Sequence, residues 1–321
     1  MLKIAVVGTG LISGQHLKAI QSSAEAVLCA ICDINETVGV PLAEEYGVPF
    51  FKDYKDIPQN TDAEAVILNL PHFLHCEVSE FFLDKGVHVL VEKPMANTVK
   101  ECDRMIEAAE RNNKKLAIGH IQRFYPGNRK VKEMYQSKEI GELCMINELR
   151  SEEYFYEGRP KWFLDKKLSG GGVFMNFGAH ALDLLFSIVD SKPVHVSAMV
   201  GNIKNNYSIE GHAQVHVELE NKVSANITIC GYAKGGREVT CCFTNGILKI
   251  LNGGRRLAKN VGNGWEDVEL EETNPFELQL AEFCKLIKGE RSEIASGEFG
   301  RQVIGIVEEV LNDRVMIEKK I

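Results

Sequence analysis

Lys3-Ile-Ala-Val-Val-Gly8-Thr-Gly10-Leu-Ile-Ser13-Gly14 is an apolar strand that runs straight into a glycine-rich turn. A second apolar run, Leu28-Cys-Ala-Ile-Cys-Asp33, ends in an acid about twenty residues further on. Together they read as a dinucleotide site. Gly8 permits the tight turn off the strand, and Gly10 has no side chain to block a pyrophosphate from the following helix N-terminus. There the unpaired backbone N–H groups and the positive end of the helix dipole favour a diphosphate. Leu11, Ile12 and Ser13 complete the expected cofactor turn. Ser13 stands where a third glycine is usual, with Gly14 just after it, and serine is small enough for helix and strand still to pack closely.

Asp33 is expected to accept hydrogen bonds from the adenosine ribose. A 2′-phosphate beside it would meet like charge, worth about 4 kcal/mol per close pair of unit charges in a moderate dielectric. Ile34 and Asn35 follow, where an arginine could have offset that repulsion. NAD is therefore expected over NADP. The alternative is that Asp33 only caps the next turn.

The 321 residues leave room for two domains, and 45% apolar with 26% charged residues describes an ordinary globular chain. A net charge of −8 argues against nucleic acid or an anionic membrane as partner. No run of about eighteen apolar residues is present to span a bilayer. With a strand starting at residue 3, no secretory leader is expected. Nine scattered cysteines suggest reduced thiols and a cytoplasmic location. Cys29 and Cys32 have C-x-x-C spacing but point to opposite faces of a strand, and His72 and His75 lack a second ligand cluster, so no metal site is expected.

Up to about residue 120 strands alternate with helices. The strands are expected at Lys3–Val7, Val27–Cys32, Ala65–Leu70, Val87–Val91 and Lys115–Gly119, with helices at His75–Lys85 and Val99–Asn112. That alternation implies a parallel sheet covered on both faces, with ligands outside the carboxyl ends of its strands. After Arg123 a helical stretch, Gly127–Ser137, leads to strand patterns at Leu143–Leu149, Val194–Val200, Ala213–Leu219, Val223–Ile229, Glu238–Phe243 and Gly246–Leu251. These imply a second, α+β domain with a mostly antiparallel sheet. Helical patterns at Pro275–Lys288 and Glu298–Leu311 close the chain. The expected domains are 1–121 and 122–321, with the C-terminal helices able to pack back across the domain boundary.

Three further segments carry chemistry. Asn69-Leu70-Pro71-His72-Phe73-Leu74-His75 lies at a strand end, as does Glu92-Lys93-Pro94. Lys93 there either points into the cofactor crevice or is a solvated strand-end lysine. The third is Gly170-Gly-Gly172-Val-Phe-Met-Asn176-Phe-Gly178-Ala-His180-Ala-Leu-Asp183. Asn176 and His180, four apart, would share a helical face. Asp183 either orients the His180 imidazole or holds the helix to neighbouring backbone.

The glycine turn followed by His16, the L-P-x-x-L-H segment, E-K-P, the G-H-x-x-R-F segment at 119–124 and G-G-G-x-x-x-N-x-G-x-H-x-x-D together resemble the Gfo/Idh/MocA oxidoreductases. The likeness extends through Asn274–Asp313. It implies an N-terminal Rossmann domain and a C-terminal domain whose sheet serves an oligomer interface, giving a homodimer or homotetramer. It implies that Lys93, His180 and Asn176 are catalytic, with Lys93 on the reacting hydroxyl and His180 as general base. It further implies that Leu70, Pro71, His75, Glu92 and Lys93 line the cofactor, that the Lys93–Pro94 bond is cis, and that Arg123, Trp162, Asn176 and His180 meet the substrate. The implied reaction is NAD(P)-dependent hydride transfer at a secondary alcohol of a sugar, polyol or related compound. An NAD-dependent glycosidase with transient C3 oxidation and a non-catalytic NAD-binding regulator are the alternatives. Asn176 replaces the Asp of inositol dehydrogenase-like members, and an amide cannot accept a proton. The aromatic segment Tyr154–Trp162, with Arg159 and Arg123, either lines the substrate pocket or forms core.

Overall fold

The computed structural model describes residues 1–203 and 206–312. The described residues divide into two compact units, 1–120 with 274–304, and 121–273 with 305–312. The first unit begins β1 (Leu2–Val7), α1 (Ser13–Ser22), β2 (Ala26–Cys32), α2 (Glu36–Tyr46), β3 (Phe50–Phe51), the single turn α3 (Ile57–Asn60) and β4 (Ala65–Leu68). It continues with α4 (His72–Asp84), β5 (His88–Glu92), α5 (Val99–Arg111) and β6 (Leu116–Gly119). These six strands pair in parallel in the order β6-β5-β4-β1-β2-β3. Every residue of β4 is buried, as are the last four of β1 and of β5. Strands covered on both faces read as unbroken apolar runs, which is why they were legible. The sheet order reverses between β1 and β4, so the crevice at their carboxyl ends takes the ligand.

The second unit comprises α6 (Pro126–Ser137), β7 (Leu143–Ser151), the short α7 (Lys166–Ser169), a π-helical turn (Phe174–Gly178) and α8 (Ala179–Ile188). Then follow β8 (Pro193–Gly201), β9 (His212–Leu219), β10 (Ser224–Cys230), β11 (Gly236–Phe243), β12 (Gly246–Leu251), β13 (Arg256–Asn260) and β14 (Glu266–Val268). The eight strands form one sheet in the order β14-β13-β12-β11-β7-β10-β9-β8, antiparallel except where β10 runs parallel to β7. Strands β9 and β10 alternate buried with more exposed residues, the mark of a sheet with one covered face. The helical stretch Lys166–Ile188 is long and apolar enough to cross a membrane by composition, yet 83% of its most apolar window is buried within the protein. It is a core helix here.

The last segment adds α9 (Pro275–Lys288), β15 (Ala295–Ser296) and α10 (Gly297–Asn312). Asn274 caps α9 by accepting the Phe276 N–H, Pro275 occupies its first turn, and Gly289 ends it in the left-handed region. Strand β15 pairs antiparallel with β6 and so extends the first sheet. The first unit thus ends where expected, near residue 121, but the second, expected over 122–321, gives up residues 274–304 to it, the return allowed for the C-terminal helices. The edge of His16 on α1 meets Phe276 on α9 at 5.1 Å, and Lys288 pairs with Glu25. Asp313, the end of the family resemblance, lies outside the described residues.

Candidate active site

At the end of β1, Gly8 turns the chain with φ +93°, and a Cβ there would collide with the Asn69 carbonyl. Asp33, at the end of β2, is held from the same turn. Its Oδ2 accepts the Thr9 N–H at 2.6 Å and the Thr9 hydroxyl at 2.7 Å, while Oδ1 accepts the Asn35 N–H at 2.8 Å. No atom lies within 4 Å of where a Cβ on Gly10 would stand. Helix α1 has no side-chain cap and no acid in its first turn, so its N-terminus is open to an anion. Ser13 is buried, and its hydroxyl donates to the Gly10 carbonyl at 2.7 Å, which explains how the turn tolerates serine. Leu11 is fully exposed and Ile12 borders on exposed. An open space over Gly10, an uncapped helix start and a fixed carboxylate at β2 fit a dinucleotide.

Two neighbouring strand ends carry the next residues. Glu92 closes β5, and the Lys93–Pro94 peptide is cis. Glu92 Oε1 lies 2.9 Å from His16 Nε2, and Oε2 accepts the Lys93 N–H at 3.1 Å. Burial pushes the Glu92 carboxyl up, but the His16 hydrogen bond and charge, with Lys93, outweigh it and hold its pKa below the usual range. Lys93 itself is half-buried. Leu70 and Pro71 lead into α4, whose start also lacks a side-chain cap.

His75 requires a correction. It is fully buried, with Nδ1 2.9 Å from the Pro94 carbonyl and Nε2 2.8 Å from the Leu70 carbonyl. Burial drives its pKa below the ordinary value, against the pull of those carbonyls. Both ring nitrogens face main-chain carbonyls, and the neutral ring donates its single N–H to one of them, so His75 braces the two strand-end segments beneath the expected cofactor crevice.

In the second unit the triple glycine has a reason no motif revealed. The buried Glu210 lies against it, and a Cβ on Gly172 would strike the Glu210 main chain. Glu210 Oε1 accepts the N–H groups of Gly172 and Phe174 at 2.8 Å each and of Met175 at 3.4 Å. These are donors that a helix start leaves unpaired. Burial pushes the Glu210 carboxyl above its ordinary pKa despite those bonds. Nothing in the local sequence marked this residue.

Asn176, buried, sits within the π turn, and His180, half-buried, begins the next turn on α8. The pair thus spans a π turn, wound i→i+5, that runs into an α-helix, and does not lie on one regular α-helix. Asp183 is also reassigned. Its Oδ1 accepts Arg123 Nε–H at 2.9 Å and Nη2–H at 2.8 Å, so it ties α8 to the turn carrying Arg123 instead of to backbone. Arg123, expected at the substrate, is 13% exposed and charge-neutralised by this pair. Trp162 stacks on Phe163 with ring centroids 3.7 Å apart. Tyr154 is fully buried core, and the Arg159 guanidinium lies 3.6 Å above its ring. Among the described residues no cluster of three or more His, Cys, Asp or Glu could hold a metal.

These features define a dinucleotide-binding Rossmann domain joined to an α+β domain with a mostly antiparallel sheet. The chain belongs to the Gfo/Idh/MocA family. Residues 2–120 match the family described as "Oxidoreductase family, NAD-binding Rossmann fold", and residues 128–249 match the "GFO/IDH/MocA C-terminal domain". The chain is similar to 1-carboxy-3-chloro-3,4-dihydroxycyclohexa-1,5-diene dehydrogenase of Comamonas testosteroni, 34% identical over 181 residues, covering 56% of this chain and 45% of that protein. It is also similar to inositol 2-dehydrogenase of Salmonella typhimurium, 31% identical over 150 residues, 46% of this chain and 45% of that protein. The chain spans about half the length of the curated relatives it matches. In fold it resembles aldose-aldose oxidoreductase from Caulobacter crescentus, with a TM-score of 0.89 at 21% identity over 97% of this chain and 96% of that one.

Proposed function

We propose that this protein is a dehydrogenase or reductase that transfers hydride between NAD and a secondary alcohol or ketone of a sugar, polyol or related ring compound. One observation carries the reading: Lys93 stands half-buried at the carboxyl end of β5, in the same sheet whose first turn is open to a dinucleotide. Gly8, Gly10, Leu11, Ile12 and Ser13 would hold the pyrophosphate, Asp33 the adenosine ribose, and Glu92 the nicotinamide ribose. When bound, NAD supplies the hydride-accepting C4. The fixed Asp33 carboxylate favours NAD over NADP, because a 2′-phosphate would face it. The relatives named for an inositol and for a ring diol support a cyclic polyol as the substrate class.

Lys93 as an ammonium stabilises developing alkoxide charge; as a neutral amine it takes the hydroxyl proton itself. His180 supplies an imidazole, the side chain best suited to proton transfer near neutrality. Asn176 can orient a hydroxyl by hydrogen bonding. A homodimer or homotetramer belongs to the same proposal, as does a cytoplasmic location, the latter supported by nine free thiols.

The test follows nicotinamide absorbance with NAD and a panel of polyols, sugars and their acid and phosphate derivatives. Lys93→Ala and His180→Ala are each expected to lower turnover by about a hundredfold or more, with NAD affinity nearly intact. Near-wild-type turnover in both would overturn the assignment. Sugar release with no net NADH would move the reaction to transient oxidation.

A further inference from the structure

Three arginines of the second unit are matched with carboxylates, and the half-buried Arg159 is not. Arg123 is paired with Asp183. Arg150 and Arg237 share Glu148, at 3.1 and 3.0 Å. Arg159 has no carboxylate partner among the described residues, and its Nε is buried without a hydrogen bond. Aromatic rings hold it instead. Its guanidinium carbon lies 3.6 Å from the Tyr154 ring centroid, 4.2 Å from Phe163 and 5.3 Å from Tyr156.

Such an arrangement fixes the plane of the fork by its faces and leaves its N–H edges to a ligand. A cation in this setting is only partly compensated. Cation–π contact is weaker than the charge-assisted bonds its paired neighbours make. Its position is also informative. The buried Tyr154 hydroxyl has the Asn176 side chain and the Arg159 guanidinium as polar neighbours, and the Tyr154 ring meets Phe177 edge-on at 5.5 Å. Arg159 is therefore one side chain removed from the segment that carries Asn176 and His180.

We propose that Arg159 recognises an anionic oxygen group, a carboxylate or a phosphate, on the substrate of the reaction proposed above. The planar fork matches either group through two parallel N–H···O bonds, which a lysine would replace with a point charge. The proposal rests on the hydride-transfer reading for its substrate, and the experiment separates the two.

Titration calorimetry of the NADH-loaded protein would use glucose, glucuronate and glucose 6-phosphate as matched probes. At least one anionic probe is expected to bind tenfold or more tightly than glucose, and which one names the group. Arg159→Gln should raise its Kd to that of glucose, and Arg159→Lys should lose part of the preference. The lysine variant keeps a cation, so its partial loss still reads the site if the glutamine variant unfolds. Equal affinity for the three probes in the wild type, no affinity for any, or a preference that survives Arg159→Gln would overturn the proposal. NADH formation is followed separately with the same compounds and NAD. Arg159-dependent binding without NADH supports the anion site and counts against hydride transfer. NADH from neutral sugars, with no Arg159-dependent preference, does the reverse.

Discussion

Replacing Glu210 tests whether the segment carrying Asn176 is held by one buried acceptor. Glu210→Ala removes the oxygen that receives the Gly172 and Phe174 N–H groups at 2.8 Å and the Met175 N–H at 3.4 Å. Leaving a buried donor unpaired costs about 1–3 kcal/mol. Two short bonds therefore set the loss at about 2–6 kcal/mol. Relief from burying a carboxyl offsets part, so a net loss of about 3 kcal/mol is expected. For a unit of this size that lowers Tm by about 6–12 °C. Glu210→Gln keeps an oxygen acceptor and should stay within about 1 kcal/mol of wild type. The pH dependence gives an independent readout. Because the native pKa is raised, the folded protein binds more protons than the unfolded chain just above the ordinary carboxyl range. Wild-type stability should thus fall as pH rises from about 4.3 towards the raised native value, and the glutamine variant should lack that slope. Scanning calorimetry across about pH 4 to 8 reads both. An alanine variant within about 0.5 kcal/mol of wild type, or a glutamine variant as unstable as alanine, would refute the reasoning.

Gly8→Ala places a Cβ against the Asn69 carbonyl at a backbone φ of +93°. It should destabilise the first unit by about 1–3 kcal/mol and weaken NAD binding tenfold or more by titration calorimetry. Asp33→Asn removes the charge facing a 2′-phosphate and should shrink the kcat/KM preference for NAD over NADP at least tenfold; an unchanged ratio would show that Asp33 only caps its turn. Asp183→Asn leaves the Arg123 cation without its counter-charge and should cost about 3–5 kcal/mol in urea unfolding, with stability partly restored by adding Arg123→Met.

The strands of the first unit were legible because burial on both faces demands apolar side chains throughout, as in Ala65–Leu68. What escaped was short or peripheral. Phe50–Phe51 and Ala295–Ser296 are two-residue strands, defined by partners far away in the sequence. Arg256–Asn260 and Glu266–Val268 lie at the end of the eight-stranded sheet, where charged residues replace the alternating pattern. The return of residues 274–304 to the first unit rests on pairs such as Arg301 with Asp103 and His16 with Phe276. No local periodicity encodes such pairs.

The candidate site divides along the same line. The glycine turn, Asp33 and the Glu92-Lys93-Pro94 corner are set by consecutive residues, so spacing identified them. Glu92, Asp183 and Glu210 show what spacing leaves out: they are three buried carboxylates with different partners. Glu92 gains His16 and sits below the ordinary pKa, whereas Glu210 gains only backbone donors and sits above it. Asp183 could have served His180 but is spent on Arg123. That last pairing bears on the substrate, since it withdraws one of the two arginines the sequence offered for an anion. The other, Arg159, keeps its charge uncompensated between aromatic faces. Cation–π contact offsets only part of the cost of placing a cation there, and an apolar side chain would pack against the same rings without that cost. A ligand carrying the missing negative charge would complete this guanidinium, which shares the Tyr154 hydroxyl with Asn176, as packing alone does not.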